Sequence, residues 1–293
     1  MKVLVTGAAG QVGSELSRLG TKAFQPIGLS RDDLDITDAA AVARTVERIQ
    51  PQAVVNCAAY TAVDRAENDE KTAHAVNVEA VANLAAACAN FSAALVHLST
   101  DYVFDGKSSA PYREDDPTGP LGVYGRTKEL GERAVRAGAP RHIILRVSWV
   151  FGTLGTSFVD TMLRLARKRP ELTVVDDQIG APAPAKAVAE TLRTICLGTA
   201  NREDLWGTYH FSAEPTVSWC GFAGQIVKEA ERLGLIEQAP EVRAIPTTEY
   251  PTPAMRPLNS RLNATHLART FGIQPPDWRP HLRAYLKSLR PSP

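Results

Sequence analysis

The stretch Lys2–Thr6, Lys-Val-Leu-Val-Thr, runs directly into Gly7-Ala-Ala-Gly10-Gln-Val-Gly13. A short apolar run before a glycine-rich turn predicts a buried strand followed by a helix. Glycines at such a turn let the backbone approach a diphosphate, and the helix N-terminus offers free N–H groups and a partial positive charge. The spacing is G-x-x-G-x-x-G, and we interpret it as a dinucleotide-binding loop, with a plain structural turn as the alternative.

The same alternation of strand and helix continues to about residue 150. Short apolar strands are predicted at 2–6, 25–29, 53–56, 94–99 and 142–147, and helices at 11–19, 38–49, 72–89 and 124–136. Apolar strands linked by helical crossovers are typical of a parallel sheet covered on both faces. Right-handed crossovers then give an α/β, doubly wound (Rossmann) fold.

The pattern changes after Val150. Helices are predicted at 157–168, 186–197 and 218–233, and short strands at 172–175, 208–212 and 242–245. The segment 245–259 holds four prolines and cannot be a helix. We therefore expect a dinucleotide-binding domain at 1–150 and a smaller α/β substrate domain at 151–293, with some later segments returning to the first domain.

Composition narrows the class of protein. The 293 residues carry a net charge of +1, and this balance favours neither nucleic acid nor a membrane surface as a partner. The four cysteines show no C-x-x-C spacing, which favours buried free thiols over zinc or redox motifs. The N-terminal apolar run is too short for a signal peptide, and no apolar stretch reaches 18 residues. We expect a cytoplasmic protein.

The end of the second strand bears on the choice of cofactor. An acidic residue there favours NAD by binding the adenosine ribose. Here the chain reads Leu29-Ser30-Arg31-Asp32-Asp33, and Arg31 could hold a 2′-phosphate. We predict NADPH as cofactor, with NADH as an alternative because an aspartate could still bind the ribose; the contrary interpretation of Arg31 is a solvated surface side chain.

A tyrosine and a lysine are spaced for acid–base chemistry. Tyr124 and Lys128 lie four residues apart and share one helix face. An ammonium beside a phenol is expected to lower the phenol pKa toward neutrality. Ser99 and Thr100 end the fourth strand on the ligand side of the sheet, where one hydroxyl could bind a substrate carbonyl oxygen. The alternatives are a surface pair and a strand-end turn.

Taken together, these features resemble the extended short-chain dehydrogenase/reductase family. The resemblance covers nearly the whole chain. It is carried by VTGAAGQVG (5–13), LDITD (34–38), VVNCAAYTAVDRAE (54–67), AVNVEA (75–80), HLSTDYVFDG (97–106), YGRTKELGE (124–132), ILRVSWVFG (144–152), VVDDQIGAP (174–182), GTYHFS (207–212) and PAMRPLNSRL (253–262). Within the family it points to reductases of nucleotide-linked 4-keto sugars.

The resemblance implies a role for each matching residue. Thr100, Tyr124 and Lys128 would be catalytic, with Tyr124 as general acid. The cofactor would be bound by Gly7, Gly10, Gln11, Val12, Gly13, Ser30, Arg31, Asp35, Ile36, Ala58, Ala59, Tyr60, Thr61, Tyr124 and Lys128. Asn77 matches a family asparagine that supports the lysine through a water, or it is an ordinary helical asparagine.

The substrate would contact Thr100, Asp101, Tyr102, Tyr124, Trp149, Trp219 and Arg256. Trp219 either covers the nucleotide base or packs at a helix start, and Arg256 either binds the diphosphate or caps a helix. In some members of the family, a magnesium ion held by glutamates bridges two subunits of a dimer. Glu15 is present here, but Lys186 stands where a second glutamate is expected, so we predict no metal site.

The expected function is NADPH-dependent reduction of the 4-keto group of dTDP-4-dehydro-β-L-rhamnose to dTDP-L-rhamnose, by a monomer or a homodimer. One alternative is reduction of another nucleotide-linked 4-keto-6-deoxyhexose. Another is a non-catalytic regulatory subunit with the same fold. The presence of Thr100, Tyr124 and Lys128 disfavours that last class.

Overall fold

The computed structural model describes residues 1–200, 202 and 204–290. A six-stranded parallel sheet forms its centre, in the order β10-β5-β4-β3-β1-β2. Its strands are β1 (Lys2–Thr6), β2 (Gln25–Leu29), β3 (Ala53–Asn56), β4 (Ala94–Thr100), β5 (His142–Val147) and β10 (Gly207–His210). The predicted doubly wound sheet is confirmed.

Helices cover both faces of this sheet. They are α1 (Gln11–Arg18), α2 (Ala39–Ile49), α3 (Val63–Ala66), α4 (Glu70–His74), α5 (Ala80–Asn90), α6 (Val123–Gly138) and α8 (Ala185–Thr199). Side chains alternate across each strand, so Val3 and Val5 pack in the core with α1 and α8, whereas Leu4 packs with α2, α5 and α6. Because both faces of the sheet are covered by helices, both sets of alternating side chains are apolar, and each strand is a continuous apolar run.

The strand order reverses beside β1. Its two neighbours, β2 and β3, connect to it in opposite directions along the sheet. Open α/β sheets bind ligands at the carboxyl ends of the strands flanking such a reversal. The loop Gly7–Gly13 and the residues after Asn56 both lie at this edge.

The second half of the chain divides its elements between two cores. β10 pairs with β5, and α8 packs beside α1. A separate core is formed by α7 (Phe158–Ala166), α9 (Trp219–Arg232) and α11 (Trp278–Ser288) against β7 (Glu171–Val175), which pairs with β12 (Glu241–Ile245). The remaining elements are β6 (Val150–Phe151), β8 (Ile179–Gly180), β9 (Ala183–Pro184), β11 (Val217–Ser218) and α10 (Thr265–Phe271). The division into domains at residue 150 stays a prediction.

The helix predicted at 72–89 is not continuous. It comprises α4, a π-helical turn at Ala75–Glu79, and α5. The wider turn places Asn77 inward, where it hydrogen-bonds to Tyr60 and Thr127. Apolar periodicity alone could not show this turn, because the buried positions on either side keep a helical spacing.

The proline-rich segment 245–259 crosses between the two halves of the molecule. Only Thr247–Glu249 forms a short 3₁₀ turn. Ala254 is buried, and its N–H donates to Asp64 beyond β3 at 3.2 Å. This hydrogen bond therefore holds the segment next to the carboxyl end of the sheet, where the strand order reverses beside β1.

All four cysteines are free, as predicted, but only Cys88 and Cys196 are buried, while Cys57 and Cys220 are partly buried. Trp278 packs in the second core, and its indole N–H donates to the Pro215 carbonyl at 2.7 Å. Within the described part of the chain, every helix is too short or too polar to cross a lipid bilayer.

Candidate active site

The glycine loop is shaped for close approach. Gly7 has a φ of +69°, and a Cβ on it would lie 2.6 Å from the Ala58 nitrogen; a Cβ on Gly13 would overlap the Gly7 carbonyl oxygen. Only glycine fits at either position. The loop is closed by a hydrogen bond from Gly10 N–H to the Gly7 carbonyl at 2.9 Å.

The N-terminus of α1 fits an anionic ligand. No side chain caps it, and its first turn holds no acidic residue, so its first N–H groups and the positive end of the helix dipole face outward. The Gln11 Oε1 atom is buried without a hydrogen-bond partner. The free N–H groups and the helix dipole suit the diphosphate of a dinucleotide, which Gly7, Gly10, Gln11, Val12 and Gly13 would hold.

The segment after β3 lies directly beside this loop. Ala58 N–H donates to Asn56 Oδ1 at 3.1 Å. The Asn77 carboxamide holds the Tyr60 backbone from both sides, at 2.9 Å to its N–H and 3.1 Å to its carbonyl. Asn77 thus fixes the path of Ala58–Thr61, a positioning role that sequence reasoning left open between two interpretations.

The turn after β2 is organised by an aspartate. Ser30 donates to Asp33 Oδ2 from its backbone N–H at 2.9 Å and from its hydroxyl at 2.6 Å. These bonds lower the pKa of Asp33, so the carboxylate is engaged within the turn. Arg31 stays exposed at the end of the strand.

Asp35 and Ile36 follow this turn. Asp35 Oδ1 accepts hydrogen bonds from the Thr37 N–H and hydroxyl, which lower its pKa with a smaller contribution from Arg31. The Ile36 side chain is buried in the core with α2 and α5. Both residues lie where we expect the adenosine of the cofactor to bind.

Thr100 and Tyr124 meet at the carboxyl end of β4. Thr100 Oγ1 donates to Asp101 Oδ1 at 3.1 Å and accepts from Tyr102 N–H at 3.2 Å. The Tyr124 hydroxyl is close enough to the Thr100 side chain to influence the pKa of the phenol. Tyr102 packs edge-on against the Tyr124 ring, with centroids 5.4 Å apart. The structure therefore brings the predicted acid and the predicted strand-end hydroxyl together.

Ser99 and Thr100 are adjacent in β4, and their hydroxyl groups have different hydrogen-bond partners. Ser99 Oγ donates to Glu132 Oε1 at 2.6 Å, on the opposite side from Thr100. Glu132 also forms a buried bidentate pair with Arg146, at 2.8 and 2.7 Å. Ser99 therefore belongs to a structural ion network beneath the site, whereas the Thr100 hydroxyl lies outside that network, beside Tyr124.

The expected pKa shift of Tyr124 is corrected by the structure. Burial raises the pKa of Tyr124 to about 12, the neighbouring Thr100 side chain opposes this rise, and Asp101 adds to it. The Lys128 Nζ atom donates to the Leu98 carbonyl at 2.8 Å and lies 3.3 Å from His97 Nε2, so its observed partners are on β4. Tyr124 therefore keeps its proton at neutral pH, the form that a proton donor needs.

Two further groups at the site have shifted pKa values. Burial lowers the pKa of Lys128 to about 8, with Glu132 and Cys57 opposing. Burial also raises the pKa of Asp101 to about 6, while hydrogen bonds from Ser260 and Thr100 oppose it. Perturbed titratable groups at the carboxyl edge of a sheet mark a candidate catalytic centre.

A cavity of about 420 Å³ opens next to Tyr102. Phe158, Gln178, Trp219 and Arg256 are among the side chains that line it. Gln178 is buried, and its amide donates to the Thr247 hydroxyl at 3.0 Å. The composition, aromatic with a few polar groups, suits a nucleotide-linked ligand.

Trp149 packs behind Trp219, which lines this cavity. Its ring stacks on Trp219, with centroids 3.6 Å apart and planes 13° apart. Its φ of +49° turns the side chain over Gly180, where a Cβ would lie 2.6 Å from the indole. Trp219 thus both stacks on a neighbour and lines the cavity, so both interpretations of this residue have a basis in the structure.

Arg256 reaches the cavity from the proline-rich segment. Its guanidinium donates to Asp64 Oδ2 at 2.8 Å and to the Ala254 carbonyl at 3.2 Å. The pair orients the planar guanidinium beside Tyr102, with its partner Asp64 in the first turn of α3. Sequence reasoning did not find Asp64, because a single acidic residue after β3 carries no distinctive spacing.

Glu15, the first of the two expected glutamate positions, accepts a hydrogen bond from the Thr153 hydroxyl at 2.9 Å. Among residues 1–200, 202 and 204–290, no three His, Cys, Asp or Glu side chains are grouped as metal ligands would be. The expectation about magnesium stays a prediction.

Comparison with known proteins extends over the same residues. The family model described as RmlD substrate binding domain matches residues 1–290. A dTDP-4-dehydrorhamnose reductase of Burkholderia thailandensis is 46% identical over 95% of this chain and 96% of its own. One from Aggregatibacter actinomycetemcomitans is 44% identical over 97% and 99%. The crystal structure of a Bacillus anthracis dTDP-4-dehydrorhamnose reductase in complex with NADP superposes with a TM-score of 0.90, at 33% identity over 98% and 99% of the two chains.

Proposed function

The chain belongs to the RmlD substrate binding domain family, and on that premise we propose that it is a dTDP-4-dehydrorhamnose reductase. It reduces the 4-keto group of dTDP-4-dehydro-β-L-rhamnose to give dTDP-L-rhamnose, with NADPH as the hydride donor and NADH as an alternative. The observation that carries the chemistry is the placement of the Thr100 and Tyr124 side chains next to each other at the carboxyl edge of the sheet.

The cofactor, when bound, supplies the hydride that reduces C4 of the sugar. Tyr124 donates its phenolic proton to the O4 oxygen as negative charge develops there. The Thr100 hydroxyl, when it turns its proton from Asp101 to the same oxygen, would donate a hydrogen bond there and so lower the energy of the developing alkoxide. The keto group thereby gains one hydride and one proton and becomes a hydroxyl.

Lys128 acts one helical turn after Tyr124. As an ammonium it stabilises the phenolate that remains when Tyr124 has given up its proton. It would also donate hydrogen bonds to the ribose next to the nicotinamide. The phenolate then regains a proton from solvent, which restores the acid for the next turnover.

The remaining contacts fix the substrate. Trp149, Trp219, Asp101 and Tyr102 would surround the sugar and the base, and Arg256 would bind the diphosphate with the free edge of its guanidinium. On the cofactor side, Arg31 would bind the 2′-phosphate of NADPH. Arg31 is exposed at the end of β2 and no hydrogen bond holds it elsewhere in the described structure, which supports this role.

The protein would act in the cytoplasm on a free sugar nucleotide, as a monomer or a homodimer. Its four free thiols suit a reducing compartment. Neither a nucleic acid nor a membrane is needed for this chemistry.

The experiment offers the purified protein several nucleotide-linked 4-keto-6-deoxyhexoses and follows NADPH oxidation. The proposal predicts the highest kcat/KM for dTDP-4-dehydro-β-L-rhamnose. A higher value for another 4-keto sugar would assign the enzyme to a different pathway, and no turnover of any of them would favour a non-catalytic protein.

A further inference from the structure

A chain of buried polar side chains connects the sheet to Lys128. Thr6 Oγ1 lies 2.7 Å from Asn56 Oδ1, and Asn56 Nδ2 lies 3.0 Å from His97 Nδ1. His97 Nε2 lies 3.3 Å from Lys128 Nζ. All four residues are at most 2% exposed, so no bulk water can exchange for these partners.

The orientation of Asn56 follows from a backbone group. Ala58 N–H points at Asn56 Oδ1 from 3.1 Å, and a backbone N–H can only donate. The oxygen of the carboxamide must therefore face Ala58 and Thr6. Its NH₂ group is left to face His97.

The position of the proton on His97 follows in turn. An amide NH₂ can only donate, so His97 Nδ1 must accept. A neutral imidazole carries one proton, which then lies on Nε2. Burial, reinforced by the positive charge of Lys128, holds the pKa of His97 well below its ordinary value, so the ring stays neutral.

The Nε2–H group points at Lys128. An ammonium has no lone pair and cannot accept this hydrogen, whereas a neutral amine can accept it and still donate to the Leu98 carbonyl at 2.8 Å. The neutral amine therefore satisfies both neighbours, and the ammonium satisfies only one.

We propose that His97 is a positioning residue that donates Nε2–H to the neutral amine of Lys128 and so lowers the pH at which this amine takes up a proton. Other titratable groups also face the amine. Glu132, on the same helix, favours the ammonium, and Cys57, after β3, stays a neutral thiol because burial raises its pKa to about 12. His97 is the neighbour that favours the uncharged form.

This assignment, which rests on the proposed function for its consequence, makes Lys128 responsive near neutral pH. Below the pH at which the amine takes up its proton, Lys128 is the ammonium that stabilises the Tyr124 phenolate, and above that pH the neutral amine cannot do so. The donor from His97 then sets the upper pH limit of activity.

A direct test needs no substitution in the measured protein. In protein labelled with ¹⁵N-histidine, long-range ¹H–¹⁵N spectra distinguish the protonated from the bare ring nitrogen, and comparison with His97→Gln identifies the resonances. The proposal predicts a protonated Nε2 and a bare Nδ1 on both sides of the Lys128 titration. A bare Nε2, or a doubly protonated ring, would overturn it.

Two matched variants separate the ring's two contacts. His97→Asn places an amide near Nδ1 and removes the donor to Lys128, whereas His97→Gln places an amide donor near Nε2. The alkaline limb of kcat/KM and the ¹³Cε titration of Lys128 should move up by about one pH unit in His97→Asn, the size of one lost hydrogen bond. In His97→Gln both should stay near the wild-type position.

Equal shifts in the two variants would mean that His97 has only a structural role. The NMR titration is read without substrate, so a failure of the proposed reaction leaves this test intact. Conversely, a protein that reduces the sugar but shows a bare Nε2 would contradict only the inference about His97.

Discussion

Gly180→Ala should weaken binding of the sugar nucleotide without affecting the cofactor. In the structure a Cβ at this position would lie 2.6 Å from Trp149 Cε2 and 2.8 Å from Cζ2. An ordinary contact begins near 3.4 Å. The indole must therefore move by about 0.8 Å, and its stack on Trp219 at 3.6 Å leaves no room in that direction.

The size of the effect follows from the aromatic contact that is lost. A stacked aromatic pair contributes about 0.5–1.5 kcal/mol beyond its buried area. If Trp149 and Trp219 form the wall against the sugar nucleotide, the KM for this substrate should rise roughly threefold to tenfold. The kcat should change little, because Thr100 and Tyr124 are carried by other elements.

Steady-state kinetics with each substrate varied in turn would measure this change. Gly224→Ala is the matched control, because that glycine lies in α9 with nothing within 4 Å of its Cβ position. An unchanged sugar-nucleotide KM in Gly180→Ala, or an equal increase in the KM of NADPH, would refute the assignment of this wall to the substrate.

Three other substitutions test separate parts of the account. Tyr124→Phe should lower kcat by about 10²–10⁴ while the NADPH Kd, measured by fluorescence titration, stays the same; turnover within a few fold of wild type would mean that Tyr124 is not the acid. Arg31→Ala should weaken NADPH by about 1–3 kcal/mol and leave NADH unaffected in the same titration, and equal losses would exclude the 2′-phosphate contact. Burial, reinforced by Arg146, lowers the pKa of His210 from 6.5 to about 3. The unfolded chain therefore binds this proton first, and the stability present above pH 6.5 is lost as the pH falls toward 3. In urea unfolding, wild type should lose up to about 1.4 kcal/mol per pH unit relative to His210→Gln across that range, whereas parallel curves would contradict the shift.

The sheet could be predicted from sequence because its information is local. Each strand is a continuous apolar run bounded by glycine or polar residues, and all five strands predicted in the first half are present. The sixth strand, β10, was expected only as a short piece of the second half. Its partner β5 lies about sixty residues earlier, and no local pattern reports such a pairing.

The roles of the candidate site residues stay predictions, but the family motifs did indicate which of them lie together. Thr100, Tyr124 and the glycine loop lie at one sheet edge, as the order of strands requires. The sequence did not reveal the direction of the Tyr124 pKa shift, because spacing places Lys128 on the same helix face but does not show where its Nζ points. That direction depends on His97 and the Leu98 carbonyl, which only the folded β4 brings to the lysine.

The π-helical turn at Ala75–Glu79 illustrates the same limit. A single extra residue in one turn changes no apolar spacing on either side, yet it turns Asn77 toward the Tyr60 backbone. The ion network of Glu132 with Ser99 and Arg146 could not be predicted from the sequence either, since its members lie on three separate elements.

Transfer of hydride from NADPH to C4 of the sugar can be tested directly with an isotope label. The protein is incubated with dTDP-4-dehydro-β-L-rhamnose and NADPH that carries deuterium at the transferable position of its nicotinamide, and the sugar is examined by NMR. We expect dTDP-L-rhamnose with deuterium at C4, formed in equal amount to the NADPH consumed, and loss of this product in Tyr124→Phe. A product without deuterium at C4, or consumption of NADPH without reduction of the sugar, would contradict it.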